Sequence, residues 1–117
     1  MSVMEAEWAR PDDRRLWPRV ILRLPVRVVD TESSFSVLTG ETVDVSVGGV
    51  LASTDGPLGG AMQATVQLDL PDGQTLVCEA RVASGGAVDE GWQYRLAFGN
   101  LEVAEIEALA RLVSRAS

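Results

Sequence analysis

Two short stretches of the chain combine side chains that bind anions with side chains that accept hydrogen bonds. Residues 14–19, Arg-Arg-Leu-Trp-Pro-Arg, place the guanidinium groups of Arg14, Arg15 and Arg19 close together. Residues 44–49, Asp-Val-Ser-Val-Gly-Gly, bring a carboxylate and a hydroxyl next to two glycines. A guanidinium offers parallel N–H donors that fit a phosphate or a base edge, and glycine leaves the backbone bare. The two stretches together suit a small, anionic, guanine-bearing ligand.

The segment that carries the three arginines is predicted to be a loop. Pro18 lacks an N–H and restricts the residue before it, so residues 14–19 are expected to form an exposed, partly stiffened arm. Residues 1–13 are expected to be a flexible, polar lead-in in which Trp8 is the large apolar residue. The remainder, 14–117, is long enough for a single domain with its own core.

Six segments are predicted to be strands, and most of them alternate apolar with polar residues, which is typical of half-buried strands. These segments are residues 20–29, 35–45, 50–53, 64–70, 75–83 and 92–98. Pro25 predicts that the first strand lies at a sheet edge or bends. The sequence Pro-Asp-Gly-Gln at 71–74 predicts a hairpin turn, while 84–86 and 89–91 together predict a longer turn.

After the last strand the apolar period changes to that of a helix. Asn100 is expected to cap it, and acids near its start and arginines near its end suit the helix dipole. The expected apolar stripe is Val103, Ile106, Leu109, Ala110 and Val113. Six strands followed by one helix predict a mainly all-β fold, a six-stranded antiparallel β-barrel with a C-terminal α-helix.

The charge distribution argues for a small anion and against a nucleic-acid polymer. The net charge is −7, whereas nucleic-acid binding needs a basic surface. Six of the ten basic residues nevertheless fall between Arg10 and Arg27, and all ten are arginine. A local basic patch on an acidic chain attracts small anions. The alternative is that these arginines lie in a solvated arm without a ligand.

The residue types that are missing exclude several functions. Without histidine there is no Ser-His or Cys-His dyad and no His-ligated metal, and without lysine there is no P-loop lysine or Schiff base. The one cysteine, Cys78, lies at an inward strand position and is expected in the core. We therefore expect no enzyme activity, no catalytic residue, no metal and no cofactor. The acidic N-terminus and the absence of a long apolar run predict a cytoplasmic protein that does not insert into membranes.

The two stretches resemble the two-part signature of PilZ domains, the bacterial receptors for the second messenger cyclic di-GMP. The matching positions are Arg15-x-x-x-Arg19 and, one strand later, Asp44-x-Ser46-x-x-Gly49. Either half alone occurs often by chance, whereas both halves in this order and spacing are specific. The resemblance extends over roughly residues 12–115 and implies a β-barrel whose N-terminal arm folds over the ligand.

The resemblance also implies a role for each matching residue. Arg15 and Arg19 would contact phosphates or the guanine O6/N7 edge. Asp44 would accept hydrogen bonds from the guanine N1–H and N2–H₂ groups, with Ser46 beside it. The alternative for Asp44 and Ser46 is turn chemistry, in which the side chain caps nearby backbone groups.

Three further residues take expected roles from the same resemblance. Gly49 would let the ligand approach the backbone, and Gly48 would help the turn. In this family a basic residue directly before the first motif arginine, here Arg14, is associated with two stacked cyclic di-GMP molecules. Its alternative is an exposed arginine without a partner. Trp17 is expected to pack the arm on the barrel.

The resemblance implies a switch that acts through another protein. Ligand binding would order the arginine arm and create a surface for an unidentified effector in trans, in motility, chemotaxis or exopolysaccharide machinery. Two alternatives remain open from the sequence. One is a PilZ-like protein–protein interaction module that does not bind nucleotide, and the other, more remote, is an OB-like barrel for single-stranded nucleic acid.

Overall fold

The computed structural model describes residues 18–30, 37–60 and 62–116. The predicted lead-in and the residues Trp8, Arg14, Arg15 and Trp17 lie outside the described residues. The described elements are β1 (Val20–Ile21), β2 (Pro25–Val29), β3 (Val37–Val45), β4 (Gly49–Thr54), β5 (Gln63–Asp69), β6 (Thr75–Val88), β7 (Gly91–Gly99) and the helix α1 (Val103–Ala116).

Six of these strands close into an antiparallel barrel. Their order is β3, β2, β5, β6, β7, β4, and the pairing of β4 with β3 completes the circle. The short β1 pairs with the far end of β3, where Val20 lies opposite Val45. Inward side chains of the strands fill the interior, and Val28, Val50, Val66, Leu68 and Leu96 are fully buried. The prediction of a six-stranded antiparallel β-barrel with a C-terminal helix is confirmed.

The first predicted strand is interrupted where it passes Thr42. Its residues form β1 and β2, which are separated by residues 22–24. The Thr42 hydroxyl donates to the Leu22 carbonyl at 2.6 Å and accepts from the Leu24 N–H at 2.8 Å. A side chain therefore replaces part of the backbone ladder. Pro25 opens β2, and because β2 pairs on both sides, it is an interior strand and not an edge.

The predicted turn at residues 84–86 is wrong, because β6 continues through it to Val88. The actual turn is the pair at 89–90, between the partners Val88 and Gly91. Gly85 has a φ of +140°, and a Cβ at this position would collide with the ring and backbone of Tyr94 on β7. The glycine therefore serves the close approach of an aromatic neighbour within a strand, and not a turn.

The helix begins at Val103, so its cap is Glu102, two residues later than predicted. The Glu102 carbonyl accepts the first helical hydrogen bond, from the Ile106 N–H at 3.0 Å. The Glu105 side chain accepts from the Glu102 N–H at 2.9 Å, the backward half of a capping box. Asn100 instead takes a left-handed backbone conformation with a φ of 51°. The cap prediction at Asn100 is therefore wrong.

The buried face of α1 is also rotated from the predicted stripe. Ala108, Leu109 and Val113 are buried and Leu112 is half-buried, whereas Val103 is 72% exposed. Ile106 and Ala110 are exposed as well. Within the described residues, no helix has the length and apolar character that crossing a membrane requires.

Candidate functional site

The turn between β3 and β4 is held together by the Ser46 hydroxyl. This hydroxyl accepts from the N–H groups of Gly48 and Gly49 at 3.1 and 3.2 Å and donates to the Gly49 carbonyl at 3.2 Å. A serine hydroxyl has one proton and two lone pairs, so the turn uses all of its hydrogen-bonding capacity. Ser46 is buried. In the structure, Ser46 therefore caps backbone groups of the turn, as the alternative interpretation of the sequence had it.

The glycines of this turn lie against β7. The Phe98 N–H donates to the Gly48 carbonyl at 2.9 Å. A Cβ at Gly49 would collide with the Leu96 carbonyl oxygen. A glycine is thus required at 49 by the packing of β4 on β7, a reason that does not depend on any ligand.

Asp44 forms an ion pair that crosses the barrel surface. Arg95 Nη1 donates to Asp44 Oδ1 at 2.8 Å, and Nη2 donates to Oδ2 at 3.3 Å. Asp44 on β3 and Arg95 on β7 both lie opposite Leu51, which is on the strand between them, β4. The Arg95 side chain therefore crosses β4 to reach Asp44. The two side chains are 17% and 24% exposed, so water screens the pair only in part. The Asp44 carboxylate thus binds the Arg95 side chain, in contrast to the alternative interpretation, in which it caps backbone groups of the turn.

Two irregularities in strand register flank this ion pair. Between Thr42 and Asp44 the β3–β4 register shifts, leaving Val43 as an extra residue. Between Val82 and Ser84 the β6–β7 register shifts in the same way at Ala83. A β-bulge re-aims the side chains that follow it, and bulges are frequent beside functional sites. Here they lie next to Asp44 and next to Ser84, the partner of Arg95.

An open cleft of about 270 Å³ joins these parts, and we call it the arginine cleft. It is lined by Arg19, Ser46, Gly48, Gly49, Arg81, Ala83, Arg95, Leu96, Ala97 and Phe98. Four predicted site residues, Arg19, Ser46, Gly48 and Gly49, therefore share one surface. Asp44 reaches the cleft through its partner Arg95. Arg14 and Arg15 lie outside the described residues.

Sequence reasoning missed two arginines of the cleft. Arg81 and Arg95 are separated from the motif stretches by more than 30 residues, and acids near them in the sequence offset their charge, so they do not form a basic cluster in the sequence. The available signal was their strand phase, since both occupy the outward positions of alternating segments. A second depression, of about 250 Å³ between α1 and the β5–β6 turn, has mainly apolar walls such as Leu22 and Leu112 and contains no predicted site residue.

Comparison with known proteins identifies the family. The sequence matches the PilZ domain family over residues 13–115. No match was found among curated protein sequences. The family match decides against the OB-like alternative.

Solved structures agree in fold. The PilZ domain of YcgR from Escherichia coli, solved with c-di-GMP, has a TM-score of 0.69 at 17% identity, over 89% of this chain and 92% of that one. The inhibitor of motility MotI/DgrA from Bacillus subtilis has a TM-score of 0.74 at 18% identity, over 88% of this chain. This chain covers 51% of MotI/DgrA, about half its length. The PilZ domain of CeSA from a cellulose-synthesizing bacterium has a TM-score of 0.62 at 23% identity, over 84% of this chain and 96% of that one.

At these identities the structural likeness speaks for the fold alone, while the sequence match reaches nearly from end to end. The barrel, both motif stretches and all but the last residue of the helix fall within the matched residues. The chain belongs to the PilZ family.

Proposed function

We propose that the arginine cleft binds cyclic di-GMP and that the chain is a receptor and adaptor, not an enzyme. The observation that carries this proposal is the meeting of Arg19, Arg81 and Arg95 with the 46–49 turn on the surface of an acidic chain. A single cleft of about 270 Å³ suits a small anion better than a polymer. The likeness to the YcgR domain, which was solved with c-di-GMP, supports the choice of ligand.

The ion pair of Asp44 is compatible with a role in guanine recognition. An ionised carboxylate offers about four lone-pair positions, and the two hydrogen bonds from Arg95 leave others free. On this proposal Asp44 accepts from the guanine N1–H and N2–H₂ groups. Arg95 also cancels a negative charge that would otherwise repel the phosphates. Arg95 is thus a positioning residue for Asp44.

The remaining motif residues divide between contact and support. Arg19 lines the cleft and would donate to a phosphate or to the guanine O6/N7 edge, with Arg15 joining it from the preceding segment. Ser46 would act through the turn that it holds. Gly48 and Gly49 would leave the cleft wall without side chains, so that the ligand can approach closely.

The same proposal includes a switch. Charge-assisted hydrogen bonds from Arg14, Arg15 and Arg19 would order this segment on the barrel when ligand binds, and Arg14 would favour a stacked pair of ligands. The ordered surface would then bind a protein effector in trans, in the cytoplasm. The barrel itself would change little.

The test is calorimetric titration of the full chain with cyclic di-GMP, with cyclic di-AMP as the control ligand. We expect micromolar or tighter binding of cyclic di-GMP, a free energy of about −8 kcal/mol or better, and none of cyclic di-AMP. Arg19→Gln should weaken binding by about 10- to 100-fold, because a charge-assisted bond is lost. Arg23→Gln is the matched control, since Arg23 is exposed and pairs only at 4.0 Å with Glu41.

The outcomes separate the alternatives. A ratio near two ligands per chain supports the role given to Arg14, and a ratio of one contradicts it. No heat and no thermal stabilisation at high ligand concentration contradict the proposal. The chain would then be treated as a PilZ-like protein–protein interaction module that does not bind nucleotide.

A further inference from the structure

Arg81 occupies the wall of the arginine cleft opposite the motif residues. In register, Arg81 lies opposite Ala97 on β7, and Ala97 lies opposite Gly49 on β4. Two strand spacings, roughly 10 Å, therefore separate the backbone at Arg81 from the 46–49 turn. Arg19 lies beyond that turn, before β1. The cleft thus has a guanidinium on each side of a floor formed by Ala97 and glycine backbone.

Arg81 also has no carboxylate partner in the described part of the chain. Among the described residues, Arg95 pairs with Asp44 and Arg23 with Glu41, while Arg19 and Arg81 pair with no acid within 4.0 Å. Glu79 lies two residues earlier on the same face of β6 and lines a neighbouring depression together with Arg81, but the two side chains form no ion pair within 4.0 Å. Because Asp44 cancels Arg95, Arg19 and Arg81 are the uncompensated charges of the described cleft wall. They face the same open volume from opposite sides.

The strand irregularity beside Arg81 contributes to this arrangement. The extra residue at Ala83 moves the β6–β7 register between Arg81 and Ser84, and Ala83 itself lines the cleft. Small side chains at Ala83 and Ala97 leave the space in front of Arg81 open.

We infer that Arg81 binds a phosphate of the ligand from the barrel side, while Arg19 binds from the other side. This inference rests on the proposed function. Cyclic di-GMP carries two phosphodiesters at opposite positions of one ring, each with a single negative charge. Two separated and uncompensated guanidiniums suit one such ring, because each is placed to pair with a different phosphate. On this inference Arg81 adds affinity for the phosphates and takes no part in base recognition.

The test compares Arg81→Gln, Arg81→Lys and Arg111→Gln in calorimetric titrations of the full chain with cyclic di-GMP at low and high salt. Arg81→Gln should weaken binding by about tenfold or more and should reduce the dependence of affinity on salt. Arg81→Lys should retain most of the affinity, because an ammonium also binds phosphate. Arg111→Gln removes an exposed arginine on α1, outside the cleft, and should change nothing.

Glu79→Gln provides an independent readout in the opposite direction. Removing this negative charge beside Arg81 should tighten binding by up to a few-fold. Binding by Arg81→Gln within twofold of the original chain would overturn the inference and leave the proposed function standing. Equal losses in the Gln and Lys variants would also overturn it, because they would assign Arg81 to a bidentate base edge. Failure of the original chain to bind would instead refute the proposed function.

Discussion

The ion pair between Asp44 and Arg95 should contribute measurably to stability, unlike the other ion pair among the described residues. Asp44 and Arg95 meet through two hydrogen bonds and are 17% and 24% exposed. Arg23 and Glu41 meet at 4.0 Å with side chains 80% and 60% exposed. Exposed pairs contribute about 0.2–1 kcal/mol, whereas hydrogen bonds to charged groups contribute about 1.5–3 kcal/mol.

The expected magnitude follows from this geometry. At about 4 Å and an effective dielectric constant of about 20, the gross attraction is about 4 kcal/mol, and desolvation and side-chain ordering offset much of it. We expect a coupling free energy of about 1.5 kcal/mol for Asp44 with Arg95. For Arg23 with Glu41 we expect less than about 0.5 kcal/mol. The single change Arg95→Gln should cost about 2 kcal/mol, because Asp44 is left without its partner.

The assay is a double-mutant cycle by urea denaturation, with Asp44→Asn, Arg95→Gln and the double variant. Glu41→Gln, Arg23→Gln and their double variant form the matched cycle. At this chain length, 1 kcal/mol corresponds to about 4 °C in Tm, so thermal unfolding gives a second reading. A coupling for Asp44 and Arg95 no larger than that of the exposed pair would refute the reasoning. It would mean that water screens the cleft wall fully.

Two further predictions concern the turn and the core. Ser46→Ala should lower the free energy of unfolding by about 2–3 kcal/mol, because it leaves the Gly48 and Gly49 N–H groups without their acceptor. Urea denaturation measures this loss, with Ser53→Ala as the control. Equally small losses of unfolding free energy in the two variants would contradict the prediction. Burial and then the Glu105 carboxylate raise the pKa of Cys78 to about 11. A disulfide reagent at pH 8 should therefore react about 100-fold more slowly with the folded chain than with the urea-unfolded chain. The free energy of unfolding should fall as pH rises from about 9 to about 11, because the thiol of the unfolded chain ionises first. Similar labelling rates in the two states would contradict this assignment.

Much of the barrel could be predicted from the sequence, because alternation of apolar residues reports which face of a strand is buried. The inward positions of β5 and β6, including Cys78, are buried as expected, except that Val82 is half-buried. The errors occur where one side chain overrides the pattern. Thr42 interrupts the first strand by hydrogen bonding to Leu22 and Leu24. Gly85 lies in a strand because Tyr94 needs the space.

The candidate site was only half predictable for a related reason. The motif stretches identify Arg19 and the 46–49 turn, because their chemistry is local in sequence. Arg95 meets Asp44 across 51 positions of chain, through a register that depends on bulges at Val43 and Ala83. The alternation of apolar residues does not reveal a bulge, because one extra residue turns every side chain that follows it to the other face of the strand. The outward positions of Arg81 and Arg95 are visible in the sequence, but their meeting with the motif residues in one cleft required the structure.

The central claim is that cyclic di-GMP occupies the arginine cleft, and filling the cleft tests it most directly. Ala97 forms part of the cleft floor, and Ala97→Leu adds three carbons there without changing a charge or a core position. Ala104→Leu adds the same carbons on the exposed face of α1. Each change should alter stability by less than about 0.5 kcal/mol. Calorimetric titration with cyclic di-GMP should show a loss of about tenfold or more for Ala97→Leu and unchanged binding for Ala104→Leu. Unchanged binding by a folded Ala97→Leu variant would contradict the assignment of this cleft.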